Sequence, residues 1–167
     1  MVWKMMLASA VAMAARSVPY AVAKPAGKSF VAHASDLLPL KSTPINPGWI
    51  INGNPQARTA EHSRGHDEAS LTAIWDCTAG EFRWYFGWDE TVMILEGEVH
   101  ITAEDGTERT LCAGDVAFFA GGTWASWRVD NYVRKVAFLR KPFPMPLAIA
   151  YRLRNLLRNG SNQGIAA

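Results

Sequence analysis

Short segments rich in β-branched and aromatic residues recur through the middle of this chain, and turn residues separate them. We expect strands near residues 49–51, 69–76, 81–86, 90–95, 98–104, 107–111, 115–119, 123–129 and 132–139. Many short strands at near-regular spacing are typical of a sandwich or barrel, most simply an antiparallel jelly roll. A length of 167 residues with 49% hydrophobic residues suits one such domain with a substantial core.

The strongest hairpin signal is the pair Asp105-Gly106, which lies between the runs EVHITAE and TERTLCA. Both residues tolerate the positive φ that a tight type I′ turn requires. The pattern therefore predicts two antiparallel strands joined by a tight turn at this pair.

The first 28 residues form a basic and apolar segment whose role the sequence leaves open. Lys4 precedes the apolar run 5–15, and the small residues Ala21-Val22-Ala23 follow, an order that resembles a signal peptide cleaved at their end. The single lysine and the interrupting Arg16 favour a short N-terminal surface helix instead. We therefore expect a cytoplasmic protein, with export as the alternative if the segment before Lys24 is removed.

After a domain over residues 29–143 that includes a lead-in loop, residues 144–167 are predicted to form an amphipathic helix and a tail. Pro146 suits the first helical position and Gly160 suits a C-terminal cap. One face of this helix carries Ile149, Leu153, Leu156 and Leu157. That face is expected to dock on the barrel or to form a dimer contact, and a membrane-surface helix is the further alternative.

Charge is distributed unevenly along the chain. The formal net charge of +2 divides into +4 for residues 1–28, −6 for residues 29–140 and +4 for residues 141–167. An acidic domain disfavours nucleic-acid binding, because a phosphate-binding face needs local positive charge. The basic flanks are suited to contact acidic surfaces, including anionic lipid.

The two cysteines, Cys77 and Cys112, form neither a disulfide framework nor a Cys-x-x-Cys zinc pair. We expect two reduced, packed thiols, because a bridge between them would require an oxidising compartment.

Three stretches together resemble a known family. They are DETVMILEGEVHIT, AGDVAFFAGGTWA and YVRKVAFLR, and they occur in the order expected for the cupin domain named after (S)-ureidoglycine aminohydrolase. The resemblance covers about residues 45–143. It implies an RmlC-like cupin, an antiparallel jelly-roll β-barrel with a pocket at its wide end, here followed by the C-terminal α-helix.

The resemblance also allows the metal-binding positions of ordinary cupins to be compared with this chain. Glu90 and Gly97 match the end of the first cupin motif, whose two histidines fall on Arg83 and Tyr85, or on Trp84 and Phe86 with shorter spacing. The last histidine, which belongs to the second motif, falls on Ala125. Only the carboxylate remains, and a lone carboxylate holds a divalent transition metal poorly. We therefore predict no metal and no cofactor in the barrel.

The alternation of residues in the predicted strand 81–86 suggests what replaces the metal. Arg83 and Tyr85 share one face of their strand, and we expect that face to point into the barrel beside Glu90. The alternative is that this face points outward and the aromatic residues between them fill the barrel. With Trp124 and Trp127 as an aromatic wall, the inward arrangement would bind a small planar or carboxylate-bearing ligand.

Histidines elsewhere offer one weaker metal hypothesis. The segment 61–68 contains His62 and His66, but Gly65 and the polar surroundings favour a solvated loop. His100 alternates with its neighbours on a predicted strand and is expected at an exposed or pocket-rim position.

Three functions follow from these observations. The first is a metal-free cupin-domain protein that binds a carboxylate- or ureide-like small molecule through Arg83, Tyr85, Glu90, Trp124 and Trp127. The second, implied by the resemblance, is a ureidoglycine aminohydrolase-like enzyme of ureide or amine metabolism. That family uses manganese, so catalysis here would instead need Glu90 as base, with Tyr85 or Arg83 steadying charge. The third is a homodimeric scaffold whose basic flanks contact a membrane or partner.

Overall fold

A computed structural model describes residues 30–158, with side chains to residue 156, and every element below lies in the compact unit that begins at His33. The N-terminal helix or signal segment and the Gly160 cap, both predicted from sequence, lie outside the described residues. The strands are β1 (Lys41–Ser42), β2 (Ile50–Gly53), β3 (Ala57–Arg64), β4 (Ser70–Phe86), β5 (Asp89–Ala103), β6 (Glu108–Cys112), β7 (Val116–Phe119) and β8 (Thr123–Arg140). A 3-10 turn covers Pro47–Trp49, and a helix, α1, covers Met145–Arg158.

Three long strands, in the order β4-β8-β5, form the centre of an entirely antiparallel arrangement. The first part of β4 pairs with the last part of β8, and that half of the barrel is completed by β1, β3, the start of β5, and β7. The second part of β4 pairs with the first part of β8, and β2, the end of β5, and β6 complete the other half. The predicted jelly-roll barrel is confirmed.

The long strands replace pairs of shorter strands that the sequence predicts. The segments 69–76 and 81–86 are one strand, because the glycine between them, Gly80, lies in a register shift between Thr78 and Gly80 rather than in a turn. Such bulges bend a strand without ending it, so each long strand contributes to both halves of the barrel.

Strand β3 was not predicted, and its last residues include Glu61 and His62 of the segment that we expected to be a loop. The strand lies near the sheet edge beside the two-residue β1 and carries few apolar side chains, so alternation gives little signal there. The predicted loop is confirmed at Gly65. The backbone N–H of Gly65 donates to the Ser70 carbonyl oxygen at 2.9 Å, which closes the turn between β3 and β4.

The hairpin at Asp105-Gly106 is confirmed, although its turn is longer than predicted. Strand β5 ends at Ala103 and β6 begins at Glu108, and Gly106 has a φ of +85°. Asp105 does not adopt positive φ; its carboxylate accepts from the backbone N–H of Thr107 at 2.9 Å. This Asx-type hydrogen bond stabilises a wider loop in place of the type I′ turn.

Helix α1 is confirmed over the residues that the structure describes, with Pro146 in its first turn. Its apolar side chains are not docked on the barrel, since at least half of Ile149, Leu153 and Leu156 is exposed. The rings of Phe143 and Tyr151, with centroids 5.8 Å apart, connect the helix to the proline-containing segment that precedes it. The expectation that this face docks on the barrel is therefore wrong, and its role as a dimer contact stays a prediction.

Candidate functional site

The last part of β4 turns the predicted site residues Arg83 and Tyr85 outward. Both are exposed, whereas Phe82 and Phe86 on the opposite face are fully buried and Trp84 is half-buried against the core. The inward orientation of Arg83 and Tyr85 is thus wrong, and the alternative is correct. Burying the three aromatic rings removes much more apolar surface from water than burying a guanidinium would, and it leaves no unpaired charge inside.

Outside the barrel, Arg83 and Tyr85 meet Trp124, which also faces outward. Tyr85 and Trp124 are cross-strand partners with ring centroids 5.1 Å apart, and the Arg83 guanidinium lies 4.6 Å from the Trp124 ring centre. Trp49 adds an edge-on contact to Trp124 at 5.3 Å. These residues form an exposed cation–π cluster, and their ligand-binding role stays a prediction.

The other two predicted residues, Glu90 and Trp127, do face the interior. Both are buried, and the partner of Glu90 is Lys135: its Nζ donates to Glu90 Oε1 at 2.6 Å, with the lysine only 4% exposed. We had not singled out Lys135. Its signal was available in β8, where it alternates with the buried apolar residues Val133 and Ala137 and so had to share their inward face.

Aromatic rings enclose this buried ion pair. Lys135 Nζ lies 4.5 Å from the ring centre of Trp127 and 5.0 Å from that of Trp75. The indole N–H of Trp127 is itself buried and has no hydrogen-bond acceptor among the described residues. A buried donor without a partner is costly, and this N–H and the two Lys135 N–H groups that do not bind Glu90 are donors available to an acceptor atom.

The residues at the cupin metal positions do not fit a metal ion. Because Trp84 and Phe86 point inward, the shorter motif spacing is the correct one, and Ala125 is buried at the position of the last histidine. None of these three side chains offers a ligand atom, and the remaining carboxylate, Glu90, is already bound to an ammonium group. The cation beside Glu90 is therefore Lys135, not Arg83 as we had expected.

A cleft of about 390 Å³ opens near the start of β8. Its lining includes Phe118, Phe119, Thr123 and Trp124. Phe119 is also part of the core: its ring stacks on Phe86 at 4.3 Å and lies 5.7 Å from Trp127. The Phe119 side chain thus lies between the cleft and the Trp127 ring.

Known proteins share this fold. Residues 64–137 match the family model of the EutQ-like cupin domain. A DUF861-family protein of unknown function from Pseudomonas syringae pv. tomato is 28% identical, with a TM-score of 0.57 over 62% of this chain and 45% of that one. A predicted oxalate decarboxylase from Thermotoga maritima is 16% identical, with a TM-score of 0.52 over 68% of this chain and 99% of that one. A putative ethanolamine utilization protein Q from Salmonella typhimurium is 21% identical, with a TM-score of 0.46 over 62% and 94% of the two chains. No curated protein matches the chain significantly.

The barrel and these matches together define a cupin-domain protein. Within it, residues 64–137 are similar to the EutQ-like cupin domain. The chain spans only 45% of the length of the Pseudomonas protein, so that protein's full extent is not represented here. Among the residues that the structure describes, no helix is both long and apolar enough to cross a bilayer.

Proposed function

We propose that this cupin domain binds a small carboxylate- or ureide-like molecule through the buried pair of Glu90 and Lys135, without a metal ion in the barrel. The observation that supports this most is the 2.6 Å ion pair at the cupin metal position, beside the ring of Trp127, whose indole N–H has no partner among the described residues. A lysine ammonium supplies the positive charge that a metal supplies elsewhere, and it presents hydrogen-bond donors rather than open coordination positions.

The donors and acceptors of this site match the proposed ligand class. Lys135 and Trp127 donate to an acceptor oxygen, which a carboxylate or a ureido carbonyl provides. Glu90 keeps one carboxylate oxygen that does not bind Lys135, and this oxygen can accept an N–H of a ureide or amine. Ligand entry from the 390 Å³ cleft requires movement of Phe119, which is 9% exposed and lies between the cleft and Trp127.

An aminohydrolase-like activity is less well supported. The catalytic arrangement expected from sequence joins Glu90 to Tyr85 or Arg83, but Glu90 faces the interior while the other two side chains are exposed on the outside of the barrel. Those two residues are therefore not placed to steady charge on a substrate held by Glu90. The aminohydrolase hypothesis now requires Lys135 in that role.

The experiment is a thermal-shift screen with small carboxylates and ureides, followed by calorimetry on each compound that stabilises the protein. The double variant Lys135→Met with Glu90→Leu removes the interior pair without leaving a buried charge, and it should abolish the shift. Arg83→Ala and Tyr85→Phe are the matched variants of the outer cluster and should leave the shift unchanged. The proposal is overturned if no compound in the panel binds, or if binding survives the double variant and is lost in the outer variants.

A homodimer is the second candidate role, and one surface favours it. On the outer face of the first barrel half, Met93, Val116, Phe118 and Phe138 are all at least 40% exposed. They are neighbours in the sheet, since Met93 pairs with Val116, and Thr91 lies between Phe118 and Phe138. We infer that a second copy covers this strip, because an uncharged strip placed against its own copy buries apolar area on both sides of a two-fold axis.

Sedimentation of the full chain tests the dimer. Phe118→Ser combined with Phe138→Ser should yield monomers, whereas Leu153→Ser combined with Leu156→Ser on α1 should leave dimers intact. A monomeric wild-type chain, or dissociation only in the α1 variant, overturns the assignment of this strip as the interface.

A further inference from the structure

A second cluster of ionisable side chains lies on the outer face of the barrel, away from the Glu90–Lys135 pair. It contains Glu98, His100 and Asp130, and one potential ligand atom from each lies within 4.8 Å of the others. Among the described residues, this is the one group of three or more histidine, cysteine or acidic side chains placed closely enough to share a metal ion. The segment containing His62 and His66 provides no such group.

The pairing of two strands places these groups together. Glu98 and His100 occupy alternate positions of β5 and so share a face. His100 is the cross-strand partner of Arg128 in β8, and Asp130 lies two residues further along β8, so its side chain is on the same face. The register between β5 and β8 shifts next to this cluster, between Gly97 and His100.

The histidine is already held in an orientation suitable for ligation. Its Nδ1 is 2.8 Å from the Thr110 hydroxyl, and its Nε2 is 3.0 Å from Asp130 Oδ2. A threonine hydroxyl can donate or accept, so it can accept Nδ1–H when the Nε2 lone pair binds a cation. A hydrogen bond at the second ring nitrogen is the usual support of a metal-binding histidine.

A thiol on the neighbouring strand lies beside one member of this group, although not within 4.8 Å of all three. Cys112 is the cross-strand partner of Glu98, and its exposed thiol lies 3.9 Å from Glu98 Oε2. Arg128 is the only lysine or arginine within ion-pair distance of Asp130 in the described chain, at 3.4 Å from Oδ1. The two carboxylates outweigh this one guanidinium, and a thiolate would add further negative charge.

We propose that Glu98, His100 and Asp130, with Cys112 as fourth ligand, bind a divalent transition metal of the Zn²⁺ class on the outer surface. Imidazole and thiolate donors combined with carboxylates suit this class, whereas Mg²⁺ and Ca²⁺ take sets of oxygen atoms. The thiol loses its proton when it binds the ion. His100 and Thr110 also line a groove of about 320 Å³, so the ion would lie at the edge of a surface that small molecules can reach.

Calorimetric titration of the tag-free full chain with Zn²⁺ tests the site. One equivalent should bind, and His100→Ala or Asp130→Asn should weaken the affinity by about tenfold or more. A matched control should not change it: His62→Ala with His66→Ala, the rival histidine pair. Absence of stoichiometric binding, binding unaffected by His100→Ala, or binding lost in the His62 and His66 variant overturns the proposal.

Cobalt substitution tests the fourth ligand separately. Co²⁺ bound by a thiolate shows a sulfur-to-metal charge-transfer band in the near ultraviolet, and this band should disappear in Cys112→Ser. A cobalt complex that lacks the band in the unaltered protein overturns the assignment of Cys112. Excess Ca²⁺ should not displace the ion, and displacement by Ca²⁺ would show an oxygen-only site instead.

Discussion

Lys135 Nζ lies 2.6 Å from Glu90 Oε1 inside the barrel, and neither side chain is more than 8% exposed. A charge taken out of water at such a site is stable only while its partner is present. The rings of Trp75 and Trp127 also lie against the ammonium group, at 5.0 and 4.5 Å from Nζ. Removing either residue alone therefore leaves the other as an unpaired buried charge, which destabilises the fold.

The first prediction concerns loss of one partner. Lys135→Met should lower the free energy of unfolding by about 3–5 kcal/mol, because Glu90 is left as an unpaired buried carboxylate. Urea denaturation measures this change. Replacing both residues, with Lys135→Met and Glu90→Leu, should restore stability to near or above that of the unaltered protein. Lys41→Met, at an exposed position of β1, should change stability by no more than about 0.5 kcal/mol. A double variant as unstable as the single one would contradict this account.

Much of the barrel could be predicted from the sequence, because strands with one buried face carry period-two alternation and glycine marks where they bend or turn. This alternation was weakest in the elements whose side chains are least buried. Strand β3, near an edge, has too few apolar residues to alternate visibly, and the exposed face of α1 shows that an amphipathic pattern does not reveal what covers it. The hydrophobic pattern of a sequence indicates which residues share one face of a strand or helix. It does not indicate what packs against that face.

The candidate site was half predicted for the same reason. Glu90 and Trp127 were placed inside correctly, whereas Arg83 and Tyr85 were placed on the wrong side by a shift of one residue. In a strand such a shift exchanges the two faces completely. The choice depended on motif spacing, which allowed both registers, and the rings of Phe82 and Phe86 decided it by filling the core. Lys135 was not predicted because the cupin metal positions end at Ala125, and Lys135 lies ten residues later in β8.

The glycine that precedes Glu98 in β5 provides the second prediction. Gly97 has a φ of +73°, and a Cβ atom there would overlap the carbonyl oxygen of Tyr132 on the adjacent strand. Gly97→Ala should therefore destabilise the fold by about 2–4 kcal/mol, through backbone strain and overpacking together. Gly106→Ala is the matched control, since Gly106 has a φ of +85° but no atoms within 4 Å of the added Cβ. It should cost only the strain, about 1 kcal/mol. Equal losses in the two variants, measured by urea denaturation, would show that the contact with Tyr132 does not matter.

The two thiols should react very differently, which is the third prediction. Cys77 is completely buried, whereas Cys112 is exposed, contrary to the expectation that both are packed. A thiol-specific reagent at mildly alkaline pH should therefore modify one cysteine in the native protein and both in denaturant. In Cys112→Ser the native protein should not react at all. Rapid modification of that variant would mean that the interior opens readily.

The fourth prediction follows from the environment of Cys77. Burial raises the pKa of this thiol to about 12, and the neighbouring Asp76 adds to the increase. The unfolded chain, with a thiol pKa of about 8.5, loses this proton first as the pH rises, so the native state then holds more protons than the unfolded state. Stability contributed by the neutral thiol is thus complete below the unfolded pKa and is lost progressively between that value and about 12. Urea denaturation at several pH values above 8.5 should show a steeper decline for the unaltered protein than for Cys77→Ala, by up to about 1.4 kcal/mol per pH unit. The comparison uses slopes because Cys77→Ala also lowers stability at every pH by leaving a cavity. Parallel slopes would mean that Cys77 ionises in the native barrel as easily as it does in water.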